Sequence, residues 1–154
     1  MDRSDPQNIL LGPGRGQSPR PSRRPRQDHS DQRICQCAIE TARLCSDRHC
    51  QDVLLFDLRG LSDLTDYMLI ASGTSNRQLK SIGAEVAHLA DRQFGMVRLG
   101  SDIDETTTWL VYDFADLIVH LFDPAVRAHY DIEMMWDDAP RVEWRRGADR
   151  EPKA

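Results

Sequence analysis

Two short apolar runs joined by Ala115-Asp116 constrain the fold of this chain most strongly. The runs Trp109–Phe114 and Leu117–Phe122 have the length of strands, and a two-residue connection between such runs is typical of a β-hairpin. With the turn at Ala115-Asp116, position 110 faces 121 and position 112 faces 119. One face of the hairpin then consists of Leu110, Tyr112, Phe114, Leu117, Val119 and Leu121. This face is apolar or aromatic throughout and is predicted to form part of a core.

The other face of the predicted hairpin mixes apolar and polar side chains. Its members are Trp109, Val111, Asp113, Ile118, His120 and Phe122. An indole beside a carboxylate on a sheet face is typical of an anchor at a protein interface. The alternative is that Trp109 packs beneath the first helix, and the pattern leaves both interpretations open. A histidine inside an apolar strand, such as His120, is more often structural than catalytic.

Helix and strand signals alternate through the rest of the chain. Ser75 and Gln78 form a capping box at the start of a helix, and Gly95 is placed to end it. The other predicted elements are a helix over 31–46, strands at Asp52–Leu58, Tyr67–Ala71 and Met96–Leu99, a polar loop at Gly100–Thr108, and a last helix that begins at Pro124. This order predicts an α/β (α+β) domain with a mixed β-sheet flanked by helices.

Composition divides the chain into three parts. Residues 1–30 contain five Pro, six Arg and three Asp, and so little apolar surface that a disordered N-terminal tail is predicted. Residues 31–138 are predicted to form the domain, and 139–154 a loose polar tail. Residues 99–138 carry ten acidic side chains against one base, Arg127, which favours a basic partner or a cation. No run approaches the ~20 apolar residues of a membrane span, so we expect a cytoplasmic protein without a membrane partner.

Candidate chemical sites are sparse. The spacing of Cys35, Cys37, Cys45 and Cys50 matches no standard zinc pattern, and without a secretion signal we expect neither a metal nor disulfides. The segment Ser72–Asn76 has the form of a strand, a turn and a helix start, and it could bind an anion or only cap the helix. A similar Gly-Ser turn occurs in Mg²⁺-dependent nucleotidyltransferases, which gives an alternative function. Those enzymes need carboxylates on a neighbouring strand, whereas Asp102 and Asp104 fall in the predicted loop.

Three separated motifs resemble the ribosomal silencing factor family, RsfS, also called Iojap. They are DYMLIASGTSNRQ over residues 66–78, the hairpin WLVYD with DLIVHLF, and the set Arg127, Tyr130, Glu133 and Trp136. The resemblance covers about residues 31–138. It implies a nucleotidyltransferase-like topology without catalytic carboxylates, and therefore no enzyme and no cofactor. One departure is Ala115, where the family usually has Gly.

The resemblance also implies a function. Members of this family repress translation by binding ribosomal protein fourteen of the large subunit and sterically blocking association with the small subunit, chiefly when nutrients are scarce. They are commonly homodimers when free. By resemblance, the partner-binding residues are Trp109, Val111, Asp113, Asp116 and His120, with Thr74, Ser75 and Arg77 as additional candidates. The residues of the third motif could hold the last helix to the sheet. The basic N-terminal tail is not a feature of the family, and its charge could give a weak contact with ribosomal RNA.

Overall fold

A five-stranded mixed sheet with helices on both faces forms the framework of the protein. The computed structural model describes residues 28–104 and 108–147, without the side chains of 28–30 and 102–104. The elements are α1 (Asp28–Asp47), β1 (Gln51–Asp57), β2 (Tyr67–Ser72), α2 (Asn76–Phe94), β3 (Gly100–Asp104), β4 (Trp109–Asp113), β5 (Leu117–Phe122), α3 (Pro124–Tyr130) and α4 (Ile132–Met135). Within the described residues, no helix combines the length and the apolar character that crossing a membrane requires.

The strand order is β1-β2-β5-β4-β3, with β2 and β5 parallel and the other neighbours antiparallel. The predicted hairpin is confirmed in its register, since Leu110 pairs with Leu121 and Tyr112 with Val119. Ala115 adopts a φ of 68°, which is the left-handed conformation that favours glycine. The turn therefore keeps its geometry although a Cβ is present.

The predicted strand at Met96–Leu99 and the loop over 100–108 are wrong in position. The segment after Gly95 is irregular, and the strand begins at Gly100, where it pairs with β4. Gly95 ends α2 in the left-handed conformation and reverses the chain, so several residues are needed before the backbone can run beside β4. Val97 and Leu99 indicated a strand, yet they are 70% and 41% exposed.

The caps of α2 and α3 follow the predictions. The Ser75 side chain accepts a hydrogen bond from the Gln78 N–H at 3.1 Å. At the other end of α2, the Gly95 N–H bonds to the carbonyl groups of the last turn. Asp123 accepts from the Ala125 N–H at 2.8 Å ahead of Pro124, which opens α3. These local signals therefore fix where the helices leave the sheet.

The two faces of the sheet are covered by different parts of the chain. The helical face, under α1 and α2, contains side chains such as Leu55, Leu69, Leu110, Tyr112 and Val119. The C-terminal face, under α3, α4 and the residues that follow, contains Phe56, Met68, Trp109, Val111 and Ile118 together with Ile132, Trp136 and Ala139. Both sets are buried, so each face of the hairpin contributes to a core.

Residues 139–147 differ from the loose tail expected over 139–154. The Val142 N–H donates to the Leu55 carbonyl at 2.8 Å, and the Asp57 N–H donates to the Pro140 carbonyl at 2.8 Å. Trp144 is buried, and its Nε1 donates to the Val53 carbonyl at 3.2 Å. This segment therefore pairs with β1 and belongs to the domain. The prediction for residues 1–27 and 148–154 lies outside the described residues.

Candidate partner-binding site

Trp109 is the centre of an aromatic cluster on the C-terminal face. Its Nε1 donates a hydrogen bond to His120 Nδ1 at 3.0 Å. The indole ring lies 4.5 Å from the ring of Tyr130 and 5.8 Å from that of Phe122, measured between centroids. An imidazole that accepts at Nδ1 carries its proton on Nε2. Trp109 thus packs under α3, and the alternative that placed it beneath the first helix is wrong.

Asp113 stabilises the hairpin turn. The residue is fully buried, and its Oδ1 accepts a hydrogen bond from the Ala115 N–H at 2.8 Å. A carboxylate that bonds to the backbone two residues later favours a turn at that position. Asp116, next in the turn, is half-buried, and its carbonyl accepts hydrogen bonds from the N–H groups of Asp66 and Tyr67.

The expected exposed surface around Trp109 does not exist in this chain. Trp109 is 1% exposed, and Val111, Asp113 and His120 have no exposed area. The physical reason is the cover provided by α3, α4 and Trp136, which the alternation of residues along β4 and β5 could not reveal. The assignment of these residues to partner binding therefore stays a prediction, and direct contact with a partner would require the cover to move.

The remaining predicted residues are accessible but lie apart. Thr74 and Ser75 follow the carboxyl end of β2, where Gln78 Oε1 accepts from the Thr74 N–H at 2.8 Å, and Arg77 is exposed on the first turn of α2. Asp116 lies at the opposite end of the sheet, beside the first residue of β2. Six strand residues span about 20 Å. The predicted partner-binding residues therefore form two separate accessible sites, one at each end of β2, and a buried group between them.

Arg127 ties the C-terminal cover to the sheet. Its guanidinium donates to the Asp52 carbonyl at 2.7 Å and to Ser72 Oγ at 2.9 Å, and it also pairs with Glu133. The Arg127 side chain is 8% exposed. These contacts agree with the bracing role that the sequence offered for the third motif.

An acidic surface lies on the outside of the same cover. We call it the acidic C-terminal surface and define it by Asp131, Met134, Asp137 and Asp138, which are all exposed. The Met134 side chain is 67% exposed. Sequence reasoning counted these acids but missed Met134, because a helix of four residues gives no periodicity from which an outward side chain can be predicted.

The described residues offer little for metal chemistry. They contain no group of three or more His, Cys, Asp or Glu that could hold a metal ion. Asp102 and Asp104 lie on β3 and not in a loop, which corrects the prediction. Three strand spacings separate β3 from β2 and the Gly73 turn, a lateral distance of about 14 Å. The two features of the nucleotidyltransferase alternative are therefore far apart.

Comparison with known proteins decides the family. The model of a family described as "Ribosomal silencing factor during starvation", RsfS, matches residues 31–154. This chain belongs to the RsfS family. It is 35% identical over 99 residues to the ribosomal silencing factor RsfS of Bacillus subtilis, across 64% of this chain and 83% of that protein. It is also 31% identical over 106 residues to the chloroplastic protein Iojap of Arabidopsis thaliana, across 69% of this chain and 44% of that protein.

Solved structures support the same conclusion for the fold. The chain is similar to a crystal structure of a Chromobacterium violaceum protein with a TM-score of 0.60 and 33% identity, covering 77% of this chain and 95% of that one. A second crystal structure, of a Bacillus halodurans protein, gives a TM-score of 0.58 at 29% identity and covers 73% and 98% of the two chains. The resemblance and the fold class predicted from the sequence are confirmed, and membership of the family indicates a ribosome-associated role in translation silencing.

Proposed function

We propose that this protein is a non-enzymatic translational repressor of the large ribosomal subunit. In this proposal it binds ribosomal protein fourteen and sterically blocks association with the small subunit, which lowers translation under nutrient limitation. Membership of the RsfS family supports the silencing role. A relative from Mus musculus is named for mitochondrial assembly of the ribosomal large subunit, which supports the choice of subunit.

The acidic C-terminal surface is the observation that carries the docking part of the proposal. Between Asp123 and Asp138 the single Arg or Lys is Arg127, and it is buried, so no basic side chain of this segment offsets the exposed acids. Ribosomal proteins are typically basic, and opposite charge steers association and fixes register. Met134 adds an adaptable apolar contact at the same place.

The residues predicted from the sequence take two roles in this proposal. Trp109, Val111 and His120 lie beneath the cover and hold it in position, whereas Asp113 holds the hairpin turn. This buried group therefore acts on docking through the shape of the surface. The accessible residues Thr74, Ser75, Arg77 and Asp116 are secondary contacts at the two ends of β2. These roles are separable, because substitutions of the first kind change folding stability as well as binding.

A subunit-joining assay tests the proposal. Purified large and small subunits are mixed with increasing amounts of the protein, and association is followed by light scattering. We expect wild-type protein to slow joining and to co-sediment with large subunits. The variant Met134→Ala/Asp137→Lys/Asp138→Lys should lose both effects, because it reverses the charge and removes the apolar contact.

The control variant carries the same type of charge change elsewhere. Asp63→Lys/Asp91→Lys alters two exposed acids that lie outside the acidic C-terminal surface. It should slow joining as wild type does. Equal loss in both variants would mean that net charge and not this surface determines binding, and undiminished joining at saturating wild-type protein would overturn the function itself.

The proposal has three further parts. We propose a homodimer for the free protein, checked by analytical ultracentrifugation, and a cytoplasmic location, supported by the bacterial relatives. We also propose a weak contact between the N-terminal tail and ribosomal RNA. Deletion of residues 1–30 should then reduce the salt dependence of binding to large subunits.

Calorimetry with Mg²⁺–ATP tests the nucleotidyltransferase alternative. We expect no heat of binding, and tight binding would restore that alternative.

A further inference from the structure

The end of α1 brings two cysteines together. The Cys50 N–H donates to the Cys45 carbonyl at 3.0 Å, and the His49 N–H donates to the Ser46 carbonyl at 3.0 Å. His49 has a φ of 69°. This pair of hydrogen bonds around a left-handed residue is a Schellman motif. Cys45 and Cys50 occupy the two positions whose side chains pack against each other in that motif.

Burial and contact agree with the backbone geometry. Cys45 has no exposed area and Cys50 is 9% exposed, so both residues are buried and Cys50 is the more accessible of the two. Both are free cysteines, and a hydrogen bond joins their side chains. That hydrogen bond lowers the pKa of Cys50 and raises the pKa of Cys45. The more exposed thiol is therefore also the one that ionises first.

The backbone geometry limits how far apart Cys45 and Cys50 can lie. A disulfide needs Cα atoms that are about 4.4–6.8 Å apart and Cβ atoms directed at each other. The 3.0 Å hydrogen bond between the Cys50 N–H and the Cys45 carbonyl limits the Cα separation of the two residues to about 7 Å. The motif also packs the side chains at these two positions against each other, which brings the two thiols to the same place.

We propose that Cys45 and Cys50 form a modification site, a dithiol that hydrogen peroxide oxidises to an intramolecular disulfide. The Cys50 thiolate attacks one peroxide oxygen, the O–O bond breaks, and the departing hydroxide takes up a proton as water. Cys50 is then a sulfenic acid. The Cys45 sulfur attacks the Cys50 sulfur, the S–O bond breaks, and a second water leaves with the Cys45 proton. Two thiols lose two electrons in total, and one peroxide is reduced to two waters.

The disulfide would lock a corner that contacts α2. Arg48 lies between the two cysteines, and its carbonyl accepts from Gln78 Nε2 at 3.3 Å. The Arg48 side chain also pairs with Glu85 on α2 at 2.9 Å. The oxidation chemistry at this corner does not require ribosome binding, so either inference can fail alone.

Cys35 and Cys37 provide an internal control in the same chain. Positions two residues apart on a helix do not face each other, so these two thiols cannot form the equivalent bond while α1 is intact. Cys37 is buried, and Cys35 is half-buried. Any non-specific effect of the oxidant should therefore appear on Cys35 without producing a bond to Cys37.

Trypsin separates the possible products. Cleavage after Arg43 and Arg48 places Cys45 and Cys50 on different peptides, 44–48 and 49–59, whereas Cys35 and Cys37 share the peptide 34–43. The reduced full-length chain is treated with a small excess of hydrogen peroxide, alkylated in denaturant, digested and analysed by mass spectrometry. We expect the cross-linked pair 44–48/49–59, at least about tenfold more abundant than a 35–37 disulfide.

The same map contains the results that would overturn the proposal. Two results would show that the motif does not direct the reaction. In the first, Cys45 and Cys50 are still recovered as alkylated thiols although other cysteines are oxidised. In the second, the 45–50 and 35–37 disulfides form in equal amounts. Circular dichroism during oxidation checks that the helices persist, because a cross-link that forms only after unfolding would also contradict it. Cys50→Ala should abolish the cross-link. If that variant does not fold, the tryptic peptides of the oxidised wild-type protein still decide whether the cross-link forms.

Discussion

On the helical face, helices of 20 and 19 residues cover the sheet, whereas helices of 7 and 4 residues cover the C-terminal face. The long helices contribute mainly small and aliphatic side chains such as Ala38, Ile82 and Val86. The short cover includes buried polar groups, among them Arg127, which bonds to Ser72. The contrast shows that a short cover can be fixed in place by specific polar contacts where little helical surface is available.

This difference predicts different responses to substitution. Apolar packing loses stability in proportion to the volume removed or inserted. Removing one partner of a buried polar contact lowers folding stability by more than the net contribution of that contact, because the other partner stays buried without its hydrogen bond. Substitutions on the helical face should therefore lower stability through packing, whereas substitutions on the C-terminal face should also lower it through buried groups that lose a hydrogen bond.

Trp109→Ala should lower the free energy of unfolding by about 4 kcal/mol, since it removes a fully buried indole from the C-terminal face together with its hydrogen bond to His120. Urea unfolding followed by circular dichroism measures the change. Trp109→Phe keeps most of the ring and removes only the N–H, so it should lose clearly less. An equal loss in both variants would assign the effect to the hydrogen bond and not to packing.

Arg127→Ala should lower the free energy of unfolding by about 3 kcal/mol, because the carbonyl of Asp52 and the hydroxyl of Ser72 lose their shared donor. Differential scanning calorimetry measures the loss. Arg48→Ala is the matched control, since Arg48 also pairs with a glutamate, Glu85, but both side chains are well exposed. A change in the control as large as that in Arg127→Ala would contradict the difference between a buried and an exposed ion pair.

Gly83→Ala should destabilise the helical face by about 2 kcal/mol although alanine favours helices. A Cβ at Gly83 would lie 2.1 Å from the hydroxyl oxygen of Tyr112, so the ring or α2 must move. Chemical denaturation of the variant checks the value. Ser81→Ala, at an exposed position of α2, should keep or slightly raise the stability, and it shows the effect of alanine without the close contact.

Ala115→Gly should raise the free energy of unfolding by about 1 kcal/mol, because glycine adopts a positive φ without steric conflict. The turn joins β4 and β5, whose side chains lie on both faces of the sheet. The gain in stability should therefore appear without a change in the segments that cover either face. Thermal unfolding measures it. Ala128→Gly, at an exposed position of α3, should instead reduce stability. A loss at position 115 would mean that the methyl group makes contacts that outweigh the backbone preference.

Alkaline pH should destabilise the helical face, and the loss of stability should be small near neutrality. Burial raises the pKa of the Cys37 thiol from 9.0 to about 11. The unfolded chain therefore releases this proton first, so the stabilisation is complete below pH 9 and is lost as the pH rises towards 11. By about pH 9.5 the loss should stay below about 1 kcal/mol. Urea midpoints from pH 8 upward measure it, and Cys37→Ala should flatten the slope.

The sequence predicted the parts of the fold that depend on local chemistry and periodicity. The alternation along β4 and β5 gave the correct pairing, and Ser75 and Gly95 gave the ends of α2, because these signals act within a few residues. The cover over Trp109 could not be predicted in this way. Alternation shows which side chains share a face, but only contacts distant in sequence, such as Arg127 with Ser72, show what lies above it.

The same limitation explains the candidate site. The sequence predicts that the acids of 99–138 and the aromatic residue Trp109 contribute to one surface, but the structure puts the indole inside and the exposed acids Asp131, Asp137 and Asp138 outside. The position of β3 was missed for a related reason. Apolar residues indicate a strand only when they are buried, and Val97 is not.

The backbone of residues 140–142 already occupies the outer side of β1. Among the described residues, the strand with a single hydrogen-bonded neighbour and no such cover is β3, which pairs with β4. If copies of this protein joined edge to edge at β3, the sheet would accept one added copy and then have no further edge of the same kind. Such an association would give a closed pair and not an open-ended fibre.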